Sequence, residues 1–195
     1  MEKLLKTVFD SYRNVNSVEI EFRFGRMNGA YFDTNIGREN FDYLRAGLDA
    51  FDGWEDVSST HTTLYYNGKT RLILDEDTGE QEAMVKENIY KHDFALENLP
   101  LDLRFSVSTE TPIHDDISDL VMDGMRVRKR KSYTRKNLRI DLTEVSGDPE
   151  DLDSEEVTTY QLEMEIVNPK KIKTDEEFFN IVHKHKNILN LIPLV

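Results

Sequence analysis

At 195 residues with 38% hydrophobic and 32% charged side chains, the chain can bury one real core but is polar enough that charge placement matters. Its net charge of −13 argues against broad electrostatic binding to duplex nucleic acid, while leaving room for a phosphorylated ligand in a local basic pocket. The absence of cysteine excludes disulfides, thiolate metal sites and a cysteine nucleophile, and fits a reducing compartment.

Residues 2–13 predict an amphipathic helix, with Leu4, Leu5, Val8, Phe9 and Tyr12 at helical spacing. This stretch lacks the unbroken apolar segment and small-residue cleavage site of a secretory signal, so an intracellular, non-secreted protein is expected. A strand follows over 18–26. A second helix spans Glu39 to Phe51, with Phe41, Leu44, Leu48 and Phe51 on one face. Strands are then predicted over 56–66 and 70–75, joined by the Asn67–Gly68 turn signal. Beyond "DEDTGE" (75–80) come strands over 83–91, 102–110, 125–133, 137–143 and 158–167. "HDDISDLVMDG" (114–124) reads as a loop with a helical turn, and the acidic stretch at 146–156 as a solvated loop. A third helix opens at Thr174, an N-cap whose capping box is completed by Glu177, with Phe178, Ile181, Val182 and Ile188 on its apolar face. The terminal "LIPLV" is expected on the outside of the strands. The longest apolar runs, "VEIEFRF" and "NLIPLV", are too short or too charged to cross a bilayer. With no repeat and no linker, one domain over 1–195 is expected.

Eight strands are the number at which a closed barrel leaves an interior just wide enough for side chains or one small ligand. Side chains on a strand alternate between faces, and here the alternation sorts charge. Glu19, Glu21 and Arg23 share one face of the first strand, opposite Val18, Ile20, Phe22 and Phe24. Gln161, Glu163 and Glu165 lie opposite Leu162, Met164 and Ile166 in the last. Between them, Arg71 sits among apolar neighbours and Lys86 lies between Val85 and Glu87; Arg104, Ser106, Ser108 and Glu110 form a row, as do Arg126, Arg128, Arg130 and Ser132, and Arg139, Asp141 and Thr143.

An antiparallel sheet with its polar face in water would produce the same alternation. Two features favour the other solution, a mainly β, eight-stranded antiparallel barrel whose polar rows line a tunnel and whose apolar rows are covered by helices. The repeated polar residues are Glu and Arg rather than Lys, Thr and Ser, and the acidic rows sit at the two ends of the sequence with the basic rows between. Buried charges must be compensated, and glutamates packed together raise one another's pKa. A divalent cation relieves that repulsion, and carboxylates without cysteine suit Mg²⁺ or Mn²⁺ better than Zn²⁺. The basic rows then call for an anion, so the pattern predicts a metal–polyphosphate site.

"VEIEFRFG" followed far downstream by "YQLEMEI" resembles the two metal-binding glutamate motifs of triphosphate tunnel metalloenzymes. The intervening strands resemble one branch, the metal-dependent RNA 5′-triphosphatases of fungi, protozoa and large DNA viruses, which act in mRNA capping. The resemblance spans Glu19 to Ile166, and the compact length is most similar to the free-standing RNA triphosphatases of chlorella-type viruses. It implies that Glu19, Glu21 and Glu165 ligate the metal, with Glu163 assisting directly or through water. It implies that Arg71, Lys86, Arg128 and Arg130 hold the triphosphate and that Glu110 orients the attacking water. Asp141 with Thr143 braces the basic side chains, Arg104 is counted among the triphosphate-binding residues and braces in the same way, and Arg23 either balances tunnel charge or touches phosphate. Gln161 departs from the pattern, since related enzymes often carry a third glutamate there. The implied substrates are 5′-triphosphate RNA ends and NTPs, acted on by a virus-encoded monomer inside the host cell, with a separate guanylyltransferase downstream and no membrane.

Two rival functions remain open at this point. "EIEFR" is similar to the Glu-x-Glu-x-Lys pattern of relatives acting on inorganic tripolyphosphate or thiamine triphosphate, with Arg23 in place of lysine. A non-catalytic polyphosphate- or nucleotide-binding module is the other, and Glu110 speaks against it, because simple anion binding gains nothing from a nearby carboxylate. His183 and His185 lie two apart on a helix and make poor ligands. Trp54 and the "LYY" at 64–66 read as packing residues rather than a base-stacking platform.

Overall fold

The computed structural model describes residues 1–114, 121–147 and 158–193. The loops expected over 114–124 and 146–156, and the last two residues of "LIPLV", therefore fall largely outside the described residues.

The chain opens with α1 (Glu2–Tyr12), followed by β1 (Val18–Asn28), β2 (Tyr31–Asp33) and α2 (Arg38–Asp49). The strands β3 (Asp56–Asn67), β4 (Thr70–Asp75), β5 (Gln81–Phe94), β6 (Asp102–Pro112), β7 (Gly124–Arg135), β8 (Leu138–Gly147) and β9 (Thr158–Ile166) come next. A 3₁₀ turn at Pro169–Lys171 leads into α3 (Asp175–Val182) and α4 (Lys184–Leu189). All pairings are antiparallel, in the order β1-β6-β5-β4-β3-β7-β8-β9, and β9 pairs back onto β1 to close an eight-stranded barrel. Closure removes every sheet edge from these strands. β2 is a ninth, three-residue strand attached to the far end of β1.

The apolar rows point outward. Ile20, Phe22 and Phe24 of β1, Leu103, Phe105 and Val107 of β6, Ile140 and Leu142 of β8, and Leu162, Met164 and Ile166 of β9 are buried in one cluster. Helices supply the cover, and the cluster runs in sequence from Leu5 to Ile192. Phe9 of α1 stacks on Phe178 of α3 at 4.4 Å, and Phe41 of α2 meets Tyr160 of β9 at 5.1 Å. Each large side chain buried here contributes about 1.5–3 kcal/mol. Because the core lies outside the barrel, the inward faces are free to be polar.

The C-terminal helix differs from the single element expected: it breaks at His183 into α3 and α4, the second bringing Ile188 and Leu189 into the core. The capping box of Thr174 and Glu177 forms as predicted. His185 is buried, its Nδ1 against the carbonyl of Val182. Among the described residues, no helix is long and apolar enough to cross a membrane.

Candidate active site in a charged tunnel

The inward rows meet in a cavity of about 130 Å³ lined by Glu19, Glu21, Arg23, Arg71, Lys86, Glu110, Arg128, Arg130, Asp141, Glu163 and Glu165, together with Ile73, Met84, Arg139 and Gln161. Strand register explains the gathering. Glu21 of β1 lies directly opposite Glu165 of β9, and Arg23 opposite Glu163. Lys86 of β5 is opposite Glu110 of β6, Arg130 of β7 opposite Thr143 of β8, and Asp141 of β8 opposite Glu163. Lys129 and Lys131 face outward, as their parity requires: Lys129 is exposed, and Lys131 pairs with Asp49 of α2 at 2.6 Å.

Every carboxylate of the acidic wall is engaged. Lys86 Nζ binds Glu19 and reaches Glu110 Oε1 at 2.9 Å, while Ser108 Oγ donates to Glu19 Oε2 at 2.8 Å. Ser106 Oγ donates to Glu21 Oε1 at 2.8 Å. Glu163 is held from two sides, by Arg23 Nη2 at 2.5 Å and Arg130 Nη2 at 3.1 Å. Arg130 also donates through Nε to Thr143 Oγ1 at 3.1 Å and reaches Asp141 Oδ2 at 3.2 Å with Nη1. Arg139 bridges Asp141 and Glu165.

These contacts set the titration of the wall. Burial, with Glu19, Asp141 and Glu21 nearby, pushes the Glu165 carboxyl up to about 8 against the pull of Arg139. Burial likewise raises Glu21, helped by Glu163 and Glu19 and opposed by Arg23. Burial acts against ionisation of Glu163 too, but Arg23, Arg130 and Arg128 outweigh it and hold that carboxylate well below its ordinary range. Lys86 is desolvated, yet Glu21, Glu19 and Glu110 keep its ammonium more basic than usual. The wall thus divides into a carboxylate committed to arginines and a pair, Glu21 and Glu165, that repel each other across one rung.

Of the residues expected in the site, Arg104 stands apart. It is forked onto Asp93 at 2.7 and 2.9 Å and does not line the cavity. Thr143 is buried behind Arg130. Ser106, Ser108 and Arg139 were recognisable as inward-facing from parity alone, but their hydrogen bonds to the glutamates were not, because the partners are remote in sequence.

The donor set fits a hard divalent cation. Glu19, Glu21 and Glu165 are oxygen donors on adjoining strands, two of them already carrying mutual repulsion, and Asp141 Oδ1 is buried without a hydrogen-bond partner. Among the described residues no three acidic or histidine side chains stand together at metal-holding distance; each turns to a cation or hydroxyl of the protein. Holding an ion there requires the glutamates to exchange those partners.

The sequence profile of the family described as "mRNA capping enzyme, beta chain" matches residues 56–191. No curated protein sequence matches the chain. Among solved structures, the Pct1 RNA triphosphatase of S. pombe is similar, with a TM-score of 0.76 at 18% identity over 97% of this chain and 92% of that one. A second structure of Pct1, in complex with the Spt5 CTD, matches equally well over 97% of this chain and 93% of its own. The mimivirus capping enzyme triphosphatase matches with a TM-score of 0.69 at 17% identity, over 99% and 96% of the two chains. At these identities the structural likeness is one of fold.

Proposed function

The chain belongs to the mRNA capping enzyme beta-chain family, the RNA 5′-triphosphatases of triphosphate tunnel type, and on that premise we propose how its tunnel works. The reaction is hydrolysis of the γ-phosphate of a 5′-triphosphate RNA end. A water oxygen bonds to the γ-phosphorus, the bond to the β–γ bridging oxygen breaks, and a 5′-diphosphate end and orthophosphate result. The observation that carries this reading is the register itself, which brings Glu21 and Glu165 face to face in the same cavity as Arg71, Lys86, Arg128 and Arg130.

Phosphoryl transfer asks a protein mainly for positioning and charge stabilisation. Arg71, Lys86, Arg128 and Arg130 hold the phosphate oxygens, and Asp141, Thr143 and Glu163 keep the Arg130 guanidinium in place. Glu110 orients the attacking water; with its side chain 33% exposed, it is the tunnel glutamate most open to solvent. Arg23 fixes Glu163 and balances its charge. Arg104, tied to Asp93, braces the wall from beyond the cavity. Glu19, Glu21 and Glu165 would hold Mg²⁺ or Mn²⁺, with Glu163 beside them directly or through water. Bound there, the ion would supply positive charge that offsets the negative charge of the triphosphate oxygens.

The whole chain acts as one tunnel domain, and the single apolar cluster from α1 to α4 supports this. The reading includes a virus-encoded enzyme acting inside a host cell. The 5′-diphosphate product is what a guanylyl transfer consumes, so a separate guanylyltransferase is the expected partner; Pct1 is solved in complex with the Spt5 CTD, which raises a segment of that kind as another. Phosphate release from triphosphate RNA by the wild type and by Glu19→Ala tests the site. A loss of about 10²-fold or more is expected, and near-normal hydrolysis by the variant would sink the assignment.

A further inference from the structure

The triphosphatase reading leaves open how the tunnel meets the first nucleoside, and the inference that follows rests on that reading. β6 and β7 run in the same direction, because four antiparallel pairings separate them. Glu110 lies towards the end of β6 and Arg126 near the start of β7, so the two residues mark opposite mouths of the tunnel. In-line attack by a water held at Glu110 directs the leaving diphosphate, with its nucleoside, towards the Arg126 mouth.

That mouth is lopsided. On its β1–β6 side the ring of Phe32 folds over Gly25, where a Cβ would come within 2.6 Å of it. Arg104 lies 4.5 Å above the same ring and is forked to Asp93, and Phe32 is only 2% exposed. On the β3–β7–β8 side Gly68, Gly124 and Gly147 stand at the strand ends, so these three positions carry no side chain. Tyr66 stands on this side, in register with Arg71 on one strand and Gly124 on the other. Its ring fills the space over Gly124, where a Cβ would come within 2.2 Å. The Arg126 guanidinium rests 5.0 Å from the centre of that ring, one pleat beyond Arg128. Both side chains are half-buried, so each keeps a solvent-facing part.

We propose that Arg126, propped on Tyr66, is the stacking plane for the 5′-terminal base of the substrate. A guanidinium plane held by an aromatic ring accepts any base, because every base has a π-face. Arg126 is then a specificity residue that separates nucleoside triphosphates from bare tripolyphosphate, and Tyr66 is a positioning residue. The tyrosine is therefore more than the packing residue its sequence context suggests.

The test is equilibrium binding of β,γ-methylene ATP in Mg²⁺, with tripolyphosphate as competitor, for the wild type, Arg126→Leu, Arg126→Lys and Tyr66→Phe. Stacking predicts that Arg126→Leu weakens the ATP analogue about tenfold. Arg126→Lys, which keeps the charge but loses the plane, should weaken it nearly as much, and Tyr66→Phe should hold it within about twofold. Tripolyphosphate, which has no base, should show the same inhibition constant with all four proteins. Equal weakening of both ligands by Arg126→Leu would mean a phosphate contact and overturn the proposal, as would full affinity in Arg126→Lys or no effect of any variant. Phosphate release from triphosphate RNA, measured alongside, keeps the two claims apart. A wild type that binds the analogue in this base-dependent way but releases no phosphate would refute the triphosphatase reading and leave the stacking plane standing.

Discussion

Replacing Arg130 with lysine separates geometry from charge. The guanidinium touches Thr143 Oγ1 at 3.1 Å, Asp141 Oδ2 at 3.2 Å and Glu163 Oε2 at 3.1 Å, each with a different nitrogen. A lysine ammonium carries the same charge on one nitrogen and cannot stand in all three places. At least one carboxylate bond and the threonine bond are lost. A hydrogen bond to a charged group contributes about 1.5–3 kcal/mol and an ordinary one about 0.5–1.5 kcal/mol, so a loss of about 2–4 kcal/mol is expected. Asp141 would then keep only Arg139 on Oδ2, because its other oxygen lacks a partner. With a urea slope of about 2 kcal/mol/M, the unfolding midpoint should fall by about 1–2 M. Trp54 is the only tryptophan and packs 5.5 Å from Tyr133 near the end of β7, so its fluorescence reports the transition. The same misplacement falls on the substrate: about 2 kcal/mol of lost positioning lowers phosphate release about 30-fold. A lysine variant with unchanged midpoint and unchanged turnover would refute the claim that fork geometry, rather than charge, organises the basic wall.

Other outcomes follow from the same contacts. In the protein free of divalent ions, the Glu165 carboxyl is raised from 4.5 to about 8. The folded state therefore holds its proton more tightly than the unfolded chain, and the stability this group adds is full below about pH 4.5 and lost as pH rises through about 8. Glu165→Gln should accordingly be more stable than wild type at pH 9, by about 1–4 kcal/mol, and lose that advantage near pH 5; a gap independent of pH in urea unfolding would count against the assignment. Gly25→Ala drives a methyl group to 2.0 Å from the Asp33 carbonyl oxygen, so a loss of about 1–3 kcal/mol is expected, read as a lower thermal midpoint. Because the protein carries a net charge of −13, affinity for triphosphate RNA should change little with RNA length and show a shallow salt dependence; a steep salt slope growing with length would reveal a basic groove outside the tunnel.

Much of the architecture is legible in period-2 alternation, because an inside-out barrel writes its charge rows directly into the strands. Parity alone puts Glu19, Glu21 and Arg23 on one face and turns Lys129 and Lys131 away from Arg128 and Arg130, as the structure has them. What parity cannot supply is the pairing of strands far apart in sequence. That Glu21 faces Glu165, and that Arg139 answers Glu165, depends on β1 closing against β9. Parity also fails at irregularities. A register shift between Asn88 and Tyr90 in β5 turns Tyr90 outward against Phe105 and brings Asp93 opposite Arg104. Arg104 shares its row with Ser106, Ser108 and Glu110, and nothing in that row shows that Asp93 takes up its fork. β2 went unpredicted because its three residues are held by packing, with Phe32 seated against Gly25 and Arg104, rather than by any local pattern.

The most direct measurement is phosphate release from RNA bearing a single 5′-triphosphate, with and without Mg²⁺, followed by analysis of the RNA end. One orthophosphate per RNA and a 5′-diphosphate end, formed only with the divalent ion, is the predicted result. Release of pyrophosphate, release that does not depend on the ion, or no release at all would contradict the account.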